Sequence, residues 1–230
     1  MKNINMVLPF LFCGVLSFDN SWATPPSDTD TAPATERSLS SVPNAPRLLY
    51  PAIEPKNALA GQALLVALRK GGYVLYMRHT QTGEMTEICT KSNLTIAGER
   101  DAARLGRNLT QARIPIGKIL SSDKCRVIDT AKRLDLGEVT ISDALTNHTS
   151  RESFDFHAAR GRLLAERPAK GTNALLVGHL QAGNVIDQAI YLDFGEIVIF
   201  SPDGKGSTVP IGRIQQEDWH TLLTSKEIEK

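Results

Sequence analysis

The chain has 230 residues, 41% of them hydrophobic, and its 26 Lys and Arg against 25 Asp and Glu leave a formal net charge of +1. No overall field of that size would steer nucleic acid or an anionic membrane surface toward it, so neither is expected as a partner. The length beyond a polar N-terminal stretch suits one domain with a sizeable core.

Residues 1–23 read as a secretory signal. Met1-Lys2-Asn3 is weakly basic, Met6 to Phe18 is an apolar run, and Ser21-Trp22-Ala23 offers small residues where a signal peptidase reads. The apolar run is too short to be a comfortable membrane span, so no stable membrane insertion is expected after cleavage; an uncleaved anchor is the alternative. Export would make the location periplasmic or secreted. Residues 24–50 are rich in Pro, Ser, Thr and Ala, carry no apolar period and predict a disordered linker. Residues 51–230 are then expected to form a single domain.

Within it, Leu59 to Leu68 predicts a short apolar helix stopped at Gly71-Gly72. Tyr73-Val74-Leu75-Tyr76-Met77 predicts a buried strand that runs into Arg78-His79. Thr95 opens a helix to about Gln111, with Ala97, Ala102, Leu105 and Leu109 near helical spacing. Lys118 to Ser122 is a further short strand, followed by Asp123-Lys124-Cys125-Arg126 and a helix to Leu134. Ser150 to Arg167 predicts another helix, Asn173 to Val177 a strand ending in Gly178-His179, and Asn184 to Leu192 a helix. Glu196 to Phe200 and Val209 to Ile214 predict two late strands around a turn at Pro202-Asp203-Gly204. The alternation predicts an α/β fold.

Three strands each deliver a polar or cationic group at their ends: Arg78 with His79, Arg126, and His179. Ligands of open α/β sheets bind at the carboxyl ends of strands. Two imidazoles and two guanidiniums gathered there would suit a tetrahedral dianion, since guanidinium forks match phosphate oxygens and a neutral imidazole can act as a nucleophile. A satisfied, half-buried His beside a surface Arg is the alternative for the first pair taken alone.

The segments Arg78-His79-Thr80, Leu94-Thr95-Ile96-Ala97-Gly98, Ser121-Ser122-Asp123-Lys124-Cys125-Arg126-Val127-Ile128-Asp129-Thr130-Ala131 and Val177-Gly178-His179 follow one another in that order. This pattern resembles the histidine phosphatase superfamily, also called phosphoglycerate mutase-like. The resemblance implies a three-layer α/β/α sandwich with a mostly parallel central sheet. It implies His79 as the nucleophile that forms a phosphohistidine, with Arg78, Arg126 and His179 holding the phosphoryl group. It also implies a small phosphorylated substrate and no metal or other cofactor; neither a His-Glu-x-x-His-type set nor paired Cys-x-x-Cys occurs.

Two positions depart from the family pattern. Thr80 stands where a small residue is usual, and Leu180 follows the second His where many members carry Gly or Asp. The stretch aligned with the family's acid-bearing segment, Leu145-Thr146-Asn147, ends in an amide, which cannot give a leaving group a proton. The general acid is thus unassigned, with Glu84 a weak candidate and Glu152 and Asp155 further ones. A phospho-ligand-binding or regulatory module with little turnover is the alternative function, and a mutase a third.

If the signal is removed with Cys13, Cys89 and Cys125 remain, and an oxidising compartment would pair them. Such a bridge would tie the loop after His79 to the residue before Arg126. Two free, buried thiols are the alternative. Arg100, Arg104, Arg107 and Arg113 read as a solvated helix face, and His148, His157 and His220 as peripheral. Neither substrate nor oligomeric state is legible. Specificity is expected in two loops over the pocket, Gln81 to Asn93 and Asn147 to Phe156.

Overall fold

The structure, a computed structural model, describes residues 58–84, 89, 93–146, 153–185 and 188–225. The expected signal and linker lie outside these residues.

Four parallel strands make the body of one six-stranded sheet: β1 (Val74–Arg78), β2 (Ile116–Ser121), β3 (Val139–Ile141) and β4 (Asn173–Gly178). Two more, β7 (Ile197–Pro202) and β8 (Thr208–Ile214), complete it in the order β3-β2-β4-β1-β7-β8. β7 runs antiparallel to both β1 and β8, so a single strand breaks the common direction. The expected mostly parallel α/β architecture is therefore present. β1 lies between β4 and β7, with every residue buried, which is why it reads as a continuous apolar run.

Side-chain alternation along β1 builds the two faces. Leu75 and Met77 join one apolar cluster with α1 (Gly61–Lys70), α2 (Ile96–Gln111), α3 (Cys125–Arg133) and α5 (Asp218–Thr224), through Leu65, Leu105, Val127 and Trp219. Val74 and Tyr76 point the other way, to a cluster with Leu164 of α4 (Ser153–Ala165) and Ile190. The second cluster is closed by a two-stranded hairpin, β5 (Gln181–Val185) with β6 (Gln188–Tyr191). This hairpin corrects the helix expected from Asn184 to Leu192.

Two other elements differ from expectation. β3, only three residues long and mostly exposed, and the seven-residue α5 were not predicted. On α2 the buried line is Gly98, Ala102, Leu105, Gly106 and Leu109, while Ala97 faces solvent. The four arginines on or just after α2 are exposed, as a solvated face requires. Among the described residues no helix is long and apolar enough to cross a membrane.

Candidate phosphate-binding active site

The parallel register of β1 and β4 sets Arg78 opposite Gly178, so the residues that follow, His79 and His179, emerge side by side. Their ring centroids lie 5.8 Å apart, nearly perpendicular. Arg126 comes from the first turn of α3 and reaches between them. Its Nε donates to His79 Nε2 at 3.2 Å, and its Nη2 lies 3.3 Å from His179 Nδ1. Three of the four expected residues are thus in direct contact. Arg78 lies alongside, its charge near enough to act on His79, with Nη1 donating to Leu192 O at 3.0 Å and Cζ 3.9 Å above the Phe194 ring.

Partners decide the tautomers. His79 Nδ1 lies 2.9 Å from Thr80 O, and a carbonyl can only accept, so Nδ1 carries the hydrogen and Nε2 keeps a lone pair. A guanidinium can only donate, so His179 Nδ1 is the lone-pair nitrogen there, and Nε2–H donates to Ser122 Oγ at 3.0 Å. Burial holds His79 well below its ordinary pKa, reinforced by Arg126, against an opposing contribution from Thr80 O. Burial and then the Arg126 charge push His179 from 6.5 to about 3. Both rings are neutral at pH 7.

The expected motifs owe their residue types to this packing. Thr95 caps α2 by accepting from Gly98 N at 2.9 Å, and a Cβ on Gly98 would stand 2.1 Å from Gln81 O. The Leu94-Thr95-x-x-Gly98 spacing therefore presses the loop after His79 onto the start of α2, where Thr95 N donates to Gln81 O. Thr130 Oγ1 accepts from Thr80 N at 3.2 Å and donates to Arg126 O at 2.8 Å, joining the end of β1 to α3. A Cβ on Gly178 would meet Tyr76 Oη at 2.2 Å, and that hydroxyl accepts from His179 N at 3.0 Å. Thr80 fits without strain, fully buried against Thr130.

Cys89 and Cys125 form a disulfide with Cα atoms 5.0 Å apart, as expected, and Cys125 is the first residue of α3. Glu84 is solvent-exposed, beyond the Thr82–Leu94 bridge. Asp155 lies on α4; Asn147, His148 and Glu152 lie outside the described residues. His157 and His220 are exposed, the former accepting from Arg160 Nη2 at 3.0 Å. Among the described residues no cluster of His, Cys, Asp and Glu could hold a metal ion.

Several site residues had no role assigned from the sequence: Ser122 stood in the Ser121–Ala131 segment without one, and Tyr76, Phe194 and Arg160 lay outside every motif. Tyr76, Ser122, Phe194 and Arg160 act on the two rings, and Arg160 is 3% exposed, donating to Gln181 O at 2.9 Å. The one available signal was polarity inside an apolar run, as at Tyr76, since a buried hydroxyl needs a partner.

Two neutral imidazoles and two guanidiniums gathered at the carboxyl ends of neighbouring parallel strands define a class: an α/β protein with a side-chain cluster suited to an oxyanion. Its resemblance to the histidine phosphatase superfamily holds against known proteins. The family model for branch 1 of that superfamily matches residues 74–153, which carry Arg78, His79 and Arg126 and stop short of His179. No curated protein matches the chain at a significant level. Among solved structures it is similar to the protein histidine phosphatase SixA complexed with tungstate, at 15% identity and a TM-score of 0.44, over 64% of this chain and 98% of that one. It is also similar to a phosphoserine phosphatase mutant from Entamoeba histolytica in complex with phosphoserine, at 14% identity and 0.44, over 63% and 98%. Likenesses of that size say nothing of substrate.

Proposed function

We propose that the chain is an exported phosphatase that hydrolyses a phosphoester or phosphoanhydride through a phosphohistidine on His79. The observation that carries this is the tautomer of His79: with Nδ1–H committed to Thr80 O, the lone pair on Nε2 faces Arg126 and His179. In the proposed cycle Arg126 turns its fork from Nε2 to the phosphoryl oxygens, joined by Arg78 and His179. Nε2 attacks phosphorus, the bond to the leaving oxygen breaks, and its electron pair departs with that oxygen. Water then attacks phosphorus, the P–N bond breaks, and neutral His79 is restored with release of inorganic phosphate. Fixed cations at developing negative charge are the main catalytic device for such transfers, so the scheme needs no metal.

Export is supported by the Cys89–Cys125 bridge, since disulfides persist in oxidising compartments, and by the apolar run at Met6 to Phe18. The test is turnover of p-nitrophenyl phosphate and a panel of phospho-compounds, with acid-quench trapping of the phosphoenzyme. His79→Ala is expected to abolish both turnover and trapped label. Turnover retained in that variant would overturn the mechanism.

A further inference from the structure

His179 has a second set of contacts on the side away from the pocket. Its Nε2–H donates to Ser122 Oγ, which also accepts from Lys124 N at 3.3 Å. With both lone pairs of Ser122 engaged, its hydrogen goes to Asp123 Oδ1 at 3.3 Å. Thr146 Oγ1 donates to the same oxygen at 2.8 Å, and Lys124 Nζ lies 3.9 Å from Oδ2. Among the described residues, the charged and titratable groups about the ring are Arg126 on α3, Asp123 and Lys124 before it, Arg160 on α4, Tyr76 on β1 and His79 just after it. Asp123 is the one carboxylate in that set. Partial burial works against its ionisation, but the Thr146 and Ser122 hydrogen bonds and the Lys124 charge outweigh this and keep it ionised.

An entering phosphoryl dianion creates a problem at His179. Once Arg126 turns to the anion, the Nδ1 lone pair is left facing phosphoryl oxygens, which are acceptors too. Swapping tautomers would reverse both links of the chain and leave Asp123 Oδ1 facing a Ser122 lone pair. Taking a proton from solvent onto Nδ1 leaves the chain intact and makes that nitrogen a donor. The resulting imidazolium would sit two hydrogen bonds from a carboxylate.

Resting on the phosphatase function above, we propose that Asp123, acting through the Ser122 hydroxyl, is a positioning residue for His179 that orients the ring and favours proton uptake at Nδ1 when a phosphoryl dianion binds. The charge should matter most where protonation is hardest. Losing it lowers the pH at which liganded His179 gives up its proton, so the defect grows as pH rises.

The test measures inorganic phosphate binding to the full chain and its Asp123→Asn and Ser122→Ala variants at pH 5.5 and pH 8. Calorimetry in two buffers of different ionisation enthalpy reads proton uptake, and nitrogen-15 shifts read the His179 ring. Asp123→Asn keeps an acceptor for Thr146 and Ser122 while removing the charge. It is expected to weaken phosphate binding on the order of fivefold at pH 8 and less than about twofold at pH 5.5, with reduced uptake. Ser122→Ala should show the same direction with Asp123 intact. Equal losses at both pH values, or none, would overturn the proposal. If the original chain binds no phosphate, the phosphatase function falls with it; if phosphate binds and turnover depends on His79 while Asp123→Asn shows no pH-dependent loss, the relay alone falls.

Discussion

The ends of β1 and β4 are built alike and behave differently. Each is a fully buried parallel strand that finishes in a histidine, and the two lie in register as neighbours. At the end of β1 the ring is held by a backbone carbonyl, so the nitrogen left open to the pocket is the distal one, Nε2. At the end of β4 the distal nitrogen is taken by Ser122, and Nδ1 is the one that meets Arg126. Burial neutralises both rings, but only the first has its lone-pair nitrogen set by a backbone carbonyl acceptor on the other ring nitrogen. Neighbouring strand ends with one residue type thus take different roles because their hydrogen-bond partners differ.

The sharpest way to break this comparison is to remove one ring at a time. On the proposed mechanism, His79→Ala should lower turnover by roughly a thousandfold or more, since the covalent step would lose its nucleophile. His179→Ala should reduce turnover by less and leave some phosphoenzyme trappable. Equal loss of labelling in both would mean the two rings are not distinguished as described.

Stability offers the next tests. Reducing the Cys89–Cys125 bridge, or replacing both cysteines by serine, removes a cross-link over 36 residues. The unfolded-chain entropy argument puts the loss at about 3–4 kcal/mol, readable in urea titration. The bridge also anchors the residue before Arg126, so activity below the unfolding transition should fall as well. Unchanged activity in the serine variant would show that α3 holds Arg126 without it.

Acid should expose the neutral rings. Both folded pKa values are depressed, that of His179 from 6.5 to about 3, so across that window the unfolded chain binds more protons than the folded one. Stability is therefore expected to fall as pH drops through that window. The slope should flatten in a His179→Asn variant. A slope unchanged by that substitution would place the acid sensitivity elsewhere.

The smallest expected effect is that of Tyr76→Phe, which leaves the ring packing intact and removes the hydroxyl that accepts from His179 N. A loss of about 1–2 kcal/mol in stability is expected, with a modest fall in turnover from a less firmly held His179.

Much of this was readable along the chain. Arg78, His79, Arg126 and His179 stand at the ends of apolar runs or the start of a helix, where local pattern alone marks strand exits and helix caps. The Cys89–Cys125 pairing was expected on the premise that Cys13 leaves with the signal, and the two sulfurs are joined in the fold. The hairpin over the second face was misread for a physical reason: Ile186, Ala189 and Ile190 recur at helical spacing, and what makes the segment a hairpin is pairing between β5 and β6. The seven residues of α5 could not hold a helix alone; Trp219 and Leu222 are buried in the core, and Gln62 Nε2 donates to Leu222 O at 3.0 Å.

By itself, then, the order of residues determined the α/β core, the strand exits and the identity of the four groups gathered at the strands' carboxyl ends. Only the tertiary structure decided which nitrogen of each imidazole faces the pocket and where the negative charge behind His179 sits. Strand periodicity is a property of neighbouring residues, whereas a tautomer depends on a donor or acceptor that can arrive from any distance along the chain. Ser122 reaches His179 across 57 residues, and no local pattern encodes that meeting.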